Sequence, residues 1–562
     1  MYSKEVMTMI KNYFKMLKRE FAGYNFGRLI KDLLAGLTVA AVALPLALAF
    51  GVASGADAAS GLVTAIIAGV VISALAGASF QISGPTGAMS AVLIGIVAQH
   101  SLQGVFLVCF IAGLILLLCG IFKLGKLVAL IPRPVITGFT SGIAVIIALG
   151  QVDNFFGTAS EGESAVQKLA SYGELGFKPH LMTVILGLIV VAIMIVWPKK
   201  WNAKVPSSLV GIIVSTAVYA VLRAVFKADG DMKVMIDGVK TVGEIPKTLF
   251  LDTRFSFAQI DLSAIGSLIS PAITVAALGM IESLLCGASA SRMKNEPFDA
   301  NIELIAQGAG NMLIPFFGGV PATAAIARTS VAIKSGAQTR LTGIFHALWL
   351  VAAMFLLGGV MAMVPMSALG GVLIVTAWRM NEWHAIKFMF KKKFIGAILQ
   401  FLITMIATVV FDLTVAIVIG IVFSILVFVK NAARLKVEIS DVDESRIARI
   451  GKDKDTVGDI SVMYVTGNIF FANVKTLTDS VSNMPKCEKV IISLRGVPDI
   501  DITAIETVGE MCEELKDKGI KTVFCGLNES VELVFRKSGV YETVGEGSFF
   551  INLDKALLAD NE

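Results

Sequence analysis

Two short stretches of this chain combine residue types that can hold a charged guest without any charged side chain. In Gln81-Ile82-Ser83-Gly84-Pro85-Thr86-Gly87-Ala88 a Gly-Pro pair precedes a short apolar segment, 86–99. In Gly318-Gly319-Val320-Pro321-Ala322-Thr323-Ala324-Ala325 the same order of glycine, proline and threonine precedes a second one, 322–333. Proline suits the first helical turn because it has no N–H to satisfy and its φ is preset. Helices starting at Pro85 and Pro321 would offer unbonded N–H groups and the positive ends of their dipoles, a combination that favours an anion. Either stretch alone also reads as an ordinary Gly/Pro kink; the matched pair favours a site.

Ionisable groups in apolar surroundings are costly and usually functional. Glu282 lies in Ala277-Leu278-Gly279-Met280-Ile281-Glu282-Ser283-Leu284-Leu285-Cys286. A carboxylate there can carry a proton or, with backbone oxygens, hold a sodium ion. The competing reading is a helix-end acid facing the cytoplasm, since Arg292 follows ten residues on. Arg328, in Ile326-Ala327-Arg328-Thr329-Ser330, falls inside the second short segment. There it would add positive charge to an anion site or pair with Glu282; the alternative is an anchor near Lys334. His346, alone in an apolar run, reads as a packing residue, and Asp57 and Asp412 as inter-helix turns.

Such residues need a scaffold buried in lipid, and the composition supplies one. The 562 residues are 56% hydrophobic and 16% charged, with mean hydropathy +0.78, against about 25% charged in soluble domains. From Glu438 onward 14 Lys+Arg stand against 23 Asp+Glu, whereas the preceding 437 residues carry 34 and 20. The net +5 therefore averages a basic apolar body and an acidic tail, and gives no reason to expect nucleic acid as a partner. Six cysteines show no metal-ligand spacing and read as reduced packing residues.

Stretches near 33–51, 59–77, 104–122, 134–150, 180–197, 205–222, 263–284, 303–317, 341–364, 367–379, 395–412 and 413–430 are long or apolar enough for spans. With the two short segments they make fourteen elements. Lys123 and Lys126, Lys199, Lys200 and Lys204, Arg292 and Lys294, Lys334 and Arg340, Lys387 and Lys391-Lys392-Lys393, and Arg434 and Lys436 all follow even-numbered elements. By the positive-inside rule that side is cytoplasmic, which places both termini there and the stretch from Arg223 to Asp261 outside. The Lys/Arg-rich stretch 1–32, lacking a signal-peptide core, is expected on the membrane surface.

Prolines also interrupt the first and eighth spans, at Pro45 and Pro271, 40 and 50 residues before Pro85 and Pro321. Seven elements separate the members of each pair, and an odd number of crossings inverts the second copy. Irregular backbone at membrane depth survives only where protein buries it or a wet cavity needs it. Paired interruptions in two halves point to a transport site.

After Glu438, strand-like runs at Ile460–Phe471, Val490–Arg495 and Lys521–Leu527 alternate with helical patterns at 473–484, 503–518 and 529–537, which predicts a small α/β domain. Asp501 is a candidate N-cap with Glu506 as a capping-box partner. No phosphate loop or nucleophile–base arrangement stands out there, so the tail reads as regulatory or interactive rather than enzymatic.

The chain resembles the sulfate-permease-type (SulP) anion transporters with a C-terminal STAS domain. The resemblance rests on Pro85-Thr86-Gly87, on Asn301-Ile302-Glu303-Leu304-Ile305-Ala306-Gln307-Gly308 with Asn311, on Gly318–Thr323 leading into Ala327-Arg328-Thr329, and on the tail. It implies a membrane all-α fold of fourteen elements in a seven-plus-seven inverted repeat with core and gate domains, commonly dimeric. Expected boundaries are 1–32, 33–432 and 438–562. The resemblance implies an anion between the third and tenth elements, here Pro85, Thr86, Gly87, Ala324, Ala325 and Ile326, with Arg328 near it. Glu282 matches the acidic coupling position. Cys286 and Ile326 replace hydroxyl residues of sodium-dependent bicarbonate members, which tilts the reading to protons, and Pro45-Leu46-Ala47-Leu48-Ala49-Phe50 lacks the tyrosines often found there. Thr503 falls where related tails place a phosphorylatable residue, beside Asp501.

The expectation is thus a homodimeric inner-membrane symporter of a small anion, sulfate or similar, with a co-transported proton, no other cofactor, an elevator-like movement, and a cytoplasmic tail open to a protein partner. Sodium-coupled bicarbonate or proton-coupled C4-dicarboxylate uptake is the alternative. A passive anion channel or exchanger follows, and then a nucleobase permease of the same architecture.

Overall fold

The computed structural model describes residues 2–126, 131–162, 165–198, 201, 205–226, 231–256, 265–411, 413–442 and 459–559. Lys199, Lys200, Lys204, Asp412 and parts of the stretch from Arg223 to Asp261 lie outside the described residues. The chain divides into two compact units, Met1–Ile421 and Val422–Glu562, with the division inside its last long apolar helix.

The first unit is helical. Its elements are α1 (Tyr2–Glu20), α2 (Phe26–Ala53), α3 (Ala58–Leu75), β1 (Ser83–Gly84), α4 (Gly87–Ile121), α5 (Arg133–Gly150), α6 (Val152–Phe156), α7 (Ala165–Leu175), α8 (Leu181–Val196), α9 (Ser207–Val225) and α10 (Asp231–Asp237). There follow α11 (Ile265–Lys294), α12 (Ala300–Leu313), β2 (Thr323–Ala324), α13 (Ile326–Lys334), α14 (Leu341–Ala362), α15 (Met366–Met380), α16 (Trp383–Lys391), α17 (Ile395–Val410) and α18 (Leu413–Ala432). Among the described residues seven helices are long and apolar enough to cross a membrane, and several shorter apolar helices accompany them. The protein is a multi-pass membrane protein.

Two groups pack mainly within themselves. Helices α2, α3 and α14 form one bundle edge, with α4 laid along α11 and α12; α5 pairs with α17, and α8 with α9 and α15. Small residues set the closest approaches, as usual where lipid provides no hydrophobic drive between helices. A Cβ on Gly61 would lie 2.0 Å from the Ala47 carbonyl oxygen and 2.8 Å from the Gly51 Cα, so α2 and α3 touch backbone to backbone.

Several sequence expectations need correction. The first long helix begins at Phe26, not 33, and α11 continues to Lys294, ten residues past the expected end. Pro45 and Pro271 do not interrupt their spans: both lie inside continuous helices. The expected segments 86–99 and 104–122 do stand as two helices within α4, which meet at a break at Ser101 (φ 59°, ψ −174°). Pro321 does not start a helix. It leads into β2, and α13 begins five residues later at Ile326.

The second unit is a five-stranded sheet ordered β3 (Lys436–Asp441), β4 (Ile460–Thr466), β5 (Lys489–Gly496), β6 (Lys521–Cys525) and β7 (Phe549–Phe550), parallel except for the antiparallel β3 edge. Its helices are α19 (Val474–Ser482), α20 (Ile502–Asp517), α21 (Glu529–Lys537), α22 (Val540–Val544) and α23 (Leu553–Leu558). The near-continuous apolar runs of β4 and β5, buried on both faces, are what a covered parallel sheet requires. The sequence pattern missed β3, whose Lys, Glu and Asp alternate with its apolar residues at the end of the apolar body, and the two-residue β7. Asp501 caps α20, accepting from the Ala504 N–H at 2.8 Å and, through its other oxygen, from the Phe471 N–H at 3.0 Å. Glu506 stands at the fifth helical position, past the third where a capping box closes.

Candidate functional site

The two breaks meet. Ser83 pairs with Ala324 and Gly84 with Thr323 in a two-stranded antiparallel ladder, from which α4 and α13 depart. Two residues per strand cannot satisfy this irregular backbone, and no water replaces partners in a bilayer core. Side chains from neighbouring helices do so instead. The Asn311 side chain accepts from the Ala322 N–H (2.8 Å) and donates to the Ala322 carbonyl (2.9 Å). Thr64 Oγ1 accepts from the Val320 N–H (2.7 Å), Ser283 Oγ from the Ala324 N–H (3.2 Å) and Thr329 Oγ1 from the Ile82 N–H (3.1 Å). Gln307 donates to Ser83 Oγ and to Glu303 Oε1, both at 2.8 Å, and Glu303 Oε2 accepts from the Gly77 N–H. The Asn301–Asn311 segment thus works as a rack of hydrogen-bonding groups behind the breaks.

The two helix starts are not satisfied in this way. Thr86 and Ala325 are the N-caps of α4 and α13, and neither makes a side-chain capping bond. The first N–H groups of each helix, Gly87–Met89 and Ile326–Arg328, have no acceptor within their own helix. Threonine is a good N-cap, but the Thr86 hydroxyl turns away and donates to Glu282 Oε2 at 2.9 Å. Thr323 Oγ1, from the other break, donates to the same oxygen at 2.6 Å. Glu282 is therefore a bridge between the breaks, more than three turns from the end of α11 and not a helix-end acid.

Arg328 is 1% exposed and reaches from α13 to the first break, where Nη2 donates to the Pro85 carbonyl at 3.0 Å. Its Nη1 is buried without a hydrogen-bond partner. A Cβ on Gly84 would sit 2.5 Å from that Nη1, so a side chain there would displace the guanidinium from this position. Among the described residues Arg328 makes no ion pair with Glu282.

Other candidates sit differently. The amides of Ala324 and Ala325 are already bonded, to Ser283 Oγ and the Ile82 carbonyl, so bare amides begin only at Ile326. Ile326 is 48% exposed beside them. Cys286, one turn beyond Glu282, points its thiol at Thr329 Oγ1 (3.4 Å), away from Thr86 and Thr323. Gly87 is buried against Phe50 and Ile147, where a Cβ would lie 2.4 Å from the latter's Cδ1. Thr503 is exposed on the first turn of α20. Thr323 was missed as a site residue, although its place after Pro321 mirrors Thr86 after Pro85.

A model of the sulfate permease family matches residues 29–408, and one of the STAS domain matches residues 452–556. The chain belongs to the sulfate permease family. A family member described as the putative sulfate transporter YvdB of Bacillus subtilis is 32% identical over 546 residues, covering 95% of this chain and 98% of that one. The bicarbonate transporter BicA of Picosynechococcus is 28% identical over 551 residues, covering 95% of each. Among solved structures, that of SLC26A9 superposes with a TM-score of 0.81 over 99% of this chain and 94% of that one, at 17% identity, and so shares the fold. The transmembrane domain of BicA from a cyanobacterium covers 70% of this chain and 98% of its own, with TM-score 0.63 and 29% identity. The family therefore makes this chain an anion transporter built from seven-plus-seven elements with a C-terminal STAS domain.

Proposed function

We propose that the protein is a secondary active transporter that carries a small inorganic anion, sulfate or one like it, together with a proton across a cell membrane. One observation carries this reading: Glu282 holds the hydroxyls of Thr86 and Thr323 from both breaks, beside two uncapped helix starts and the unpartnered Nη1 of Arg328. The helix starts and Arg328 suit a negative guest. An ionised Glu282 opposes it: two unit charges about 6 Å apart repel by about 3 kcal/mol at an effective dielectric of about 20. Protonation of Glu282 removes that repulsion, so anion and proton are favoured together.

The breaks and the helices leaving them pack with α2, α3, α11 and α12, and α14 joins this group through α2 and α3, while α5, α8, α9, α15 and α17 form a second group. Movement of the first group against the second as a rigid body would carry the guest across, an elevator-like step. We further place both termini and the STAS domain in the cytoplasm, assign the STAS domain a regulatory role centred on Asp501 and Thr503, and expect a homodimer. Purified protein in liposomes, offered radiolabelled sulfate or bicarbonate at two pH values with and without sodium, tests the proposal. Uptake that follows an inward proton gradient and ignores sodium supports it. Uptake driven by sodium alone transfers the coupling role to a cation, and uptake that only equilibrates reduces the protein to a passive channel or exchanger.

A further inference from the structure

The N-terminal helix α1 carries three distinct stripes. Tyr13 and Glu20, seven residues apart and so on one face, dock it to the body. The Tyr13 hydroxyl donates to the Ala74 carbonyl at 2.5 Å, and the Arg340 guanidinium lies 5.4 Å from the Tyr13 ring centre. Glu20 accepts from the Arg340 backbone N–H (2.6 Å), Nε (3.0 Å) and Nη2 (2.8 Å), in an ion pair whose side chains are 5% and 4% exposed. Nearby, the fully buried Asp32 of α2 accepts from the Tyr24 hydroxyl, the Thr339 N–H and hydroxyl, the Gln338 N–H and the Thr342 hydroxyl. The helix is thus bolted to the cytoplasmic ends, in the proposed orientation, of α2, α3 and α14.

Its second stripe is apolar and uncovered: Met7, Ile10 and Phe14, spaced i, i+3, i+7, are 64%, 52% and 62% exposed. The third, beside it, is basic: Lys11, Lys15 and Lys18, spaced i, i+4, i+7, are all exposed. Only five residues separate Glu20 from Phe26, where α2 opens with its own uncovered apolar stripe of Phe26, Ile30, Leu34 and Leu37 at 74%, 41%, 56% and 43% exposure. In a span of this hydropathy such a stripe would face acyl chains. Six residue steps span at most about 20 Å, so α1 cannot leave the membrane surface while Glu20 stays on Arg340.

We propose that α1 is an interfacial helix that recognises anionic phospholipids, its Met7–Ile10–Phe14 stripe seated among acyl chains and Lys11, Lys15 and Lys18 on headgroup phosphates. An apolar stripe flanked by lysines is the arrangement that binds a negatively charged leaflet. Because the Glu20–Arg340 pair joins α1 to the start of α14, the lipid grip bears on the group of helices, α14 with α2 and α3, that packs around the breaks. That consequence for transport rests on the function proposed above; the lipid contact does not.

Hydrogen exchange of the full chain in nanodiscs tests it, with phosphatidylcholine alone compared with phosphatidylcholine plus phosphatidylglycerol. Amides of α1 should exchange slower with phosphatidylglycerol, by on the order of ten-fold or more for three lysines at a charged surface. The variant K11Q/K15Q/K18Q should lose that difference while α2 and α14 keep wild-type protection. Phe14→Ser should raise exchange of α1 in both membranes. Equal protection of α1 in the two membranes overturns the proposal, as does a phosphatidylglycerol effect that survives the triple variant. Protection that disappears when discs hold a single copy of the chain also overturns it, by making the partner a second subunit. None of these readouts depends on which anion, or whether any, is carried.

Discussion

Replacing Glu282 by Gln is the sharpest perturbation of the proposed mechanism. Glutamine keeps the shape and an oxygen able to accept from Thr86 and Thr323, so the crossing should stay assembled. Two hydrogen bonds to a charged group become neutral ones, a loss of about 1–1.5 kcal/mol each, and the cost of keeping a charge out of water disappears at the same time. The net effect on stability should lie within about 2 kcal/mol. Transport should change far more. With one proton per monovalent anion, each unit of pH gradient stores about 1.4 kcal/mol and supports about ten-fold accumulation. The variant should equilibrate its anion and accumulate none. The repulsion of about 3 kcal/mol is also gone, so anion affinity at alkaline pH should rise by up to about a hundred-fold and lose its pH dependence. The assay is initial and steady-state uptake into proteoliposomes with an imposed pH gradient, beside exchange at equal pH on the two sides. Steady-state accumulation equal to wild type would falsify the coupling role of this carboxylate.

Three further expectations follow from the same geometry. Arg328→Gln should weaken anion binding by at least about ten-fold, since a charge-assisted contact contributes roughly 1.5–3 kcal/mol, with little change in exchange rate at saturating anion; an unaltered KM would remove Arg328 from the site. Asn311→Ala strands the N–H and C=O of Ala322, at about 1–3 kcal/mol each, so the midpoint of thermal unfolding in detergent should fall by several degrees, and a midpoint equal to wild type would mean that other groups satisfy this backbone. In the STAS domain, burial pushes the Cys512 thiol up to about 12. Near pH 8 it should therefore resist iodoacetamide in the folded chain, while the partly exposed Cys487 reacts first, and Cys512 should become reactive only once the domain unfolds. Mass mapping of the alkylated full chain checks the order.

Much of the architecture was readable from residue patterns because lipid punishes exceptions. Each span must be apolar for its whole length, and each departure stands out against that background, which is why Gly84-Pro85 and Gly318-Gly319-Val320-Pro321 pair by pattern alone. Turn and cap chemistry was equally local: Asp57 accepts from the Ser60 N–H at the start of α3, and Asp501 caps α20. Proline by itself does not mark a break. At Pro45 and Pro271 one missing hydrogen bond is absorbed by a long, well-packed helix, whereas at Pro85 the backbone departs because a partner strand exists to receive it.

What no pattern could supply was the identity of partners far apart in the chain. Thr86 and Thr323 are 237 positions apart, and Glu282 lies 41 from the nearer one. Glu20 and Arg340, separated by 320 positions, gave no sequence signal at all. Local chemistry sets which residues are costly to bury, since that depends on each side chain and its immediate surroundings. Whether such a group is bridged, left open or locked to a distant helix depends on how the two halves of the chain cross, and a one-dimensional pattern contains no measure of that distance.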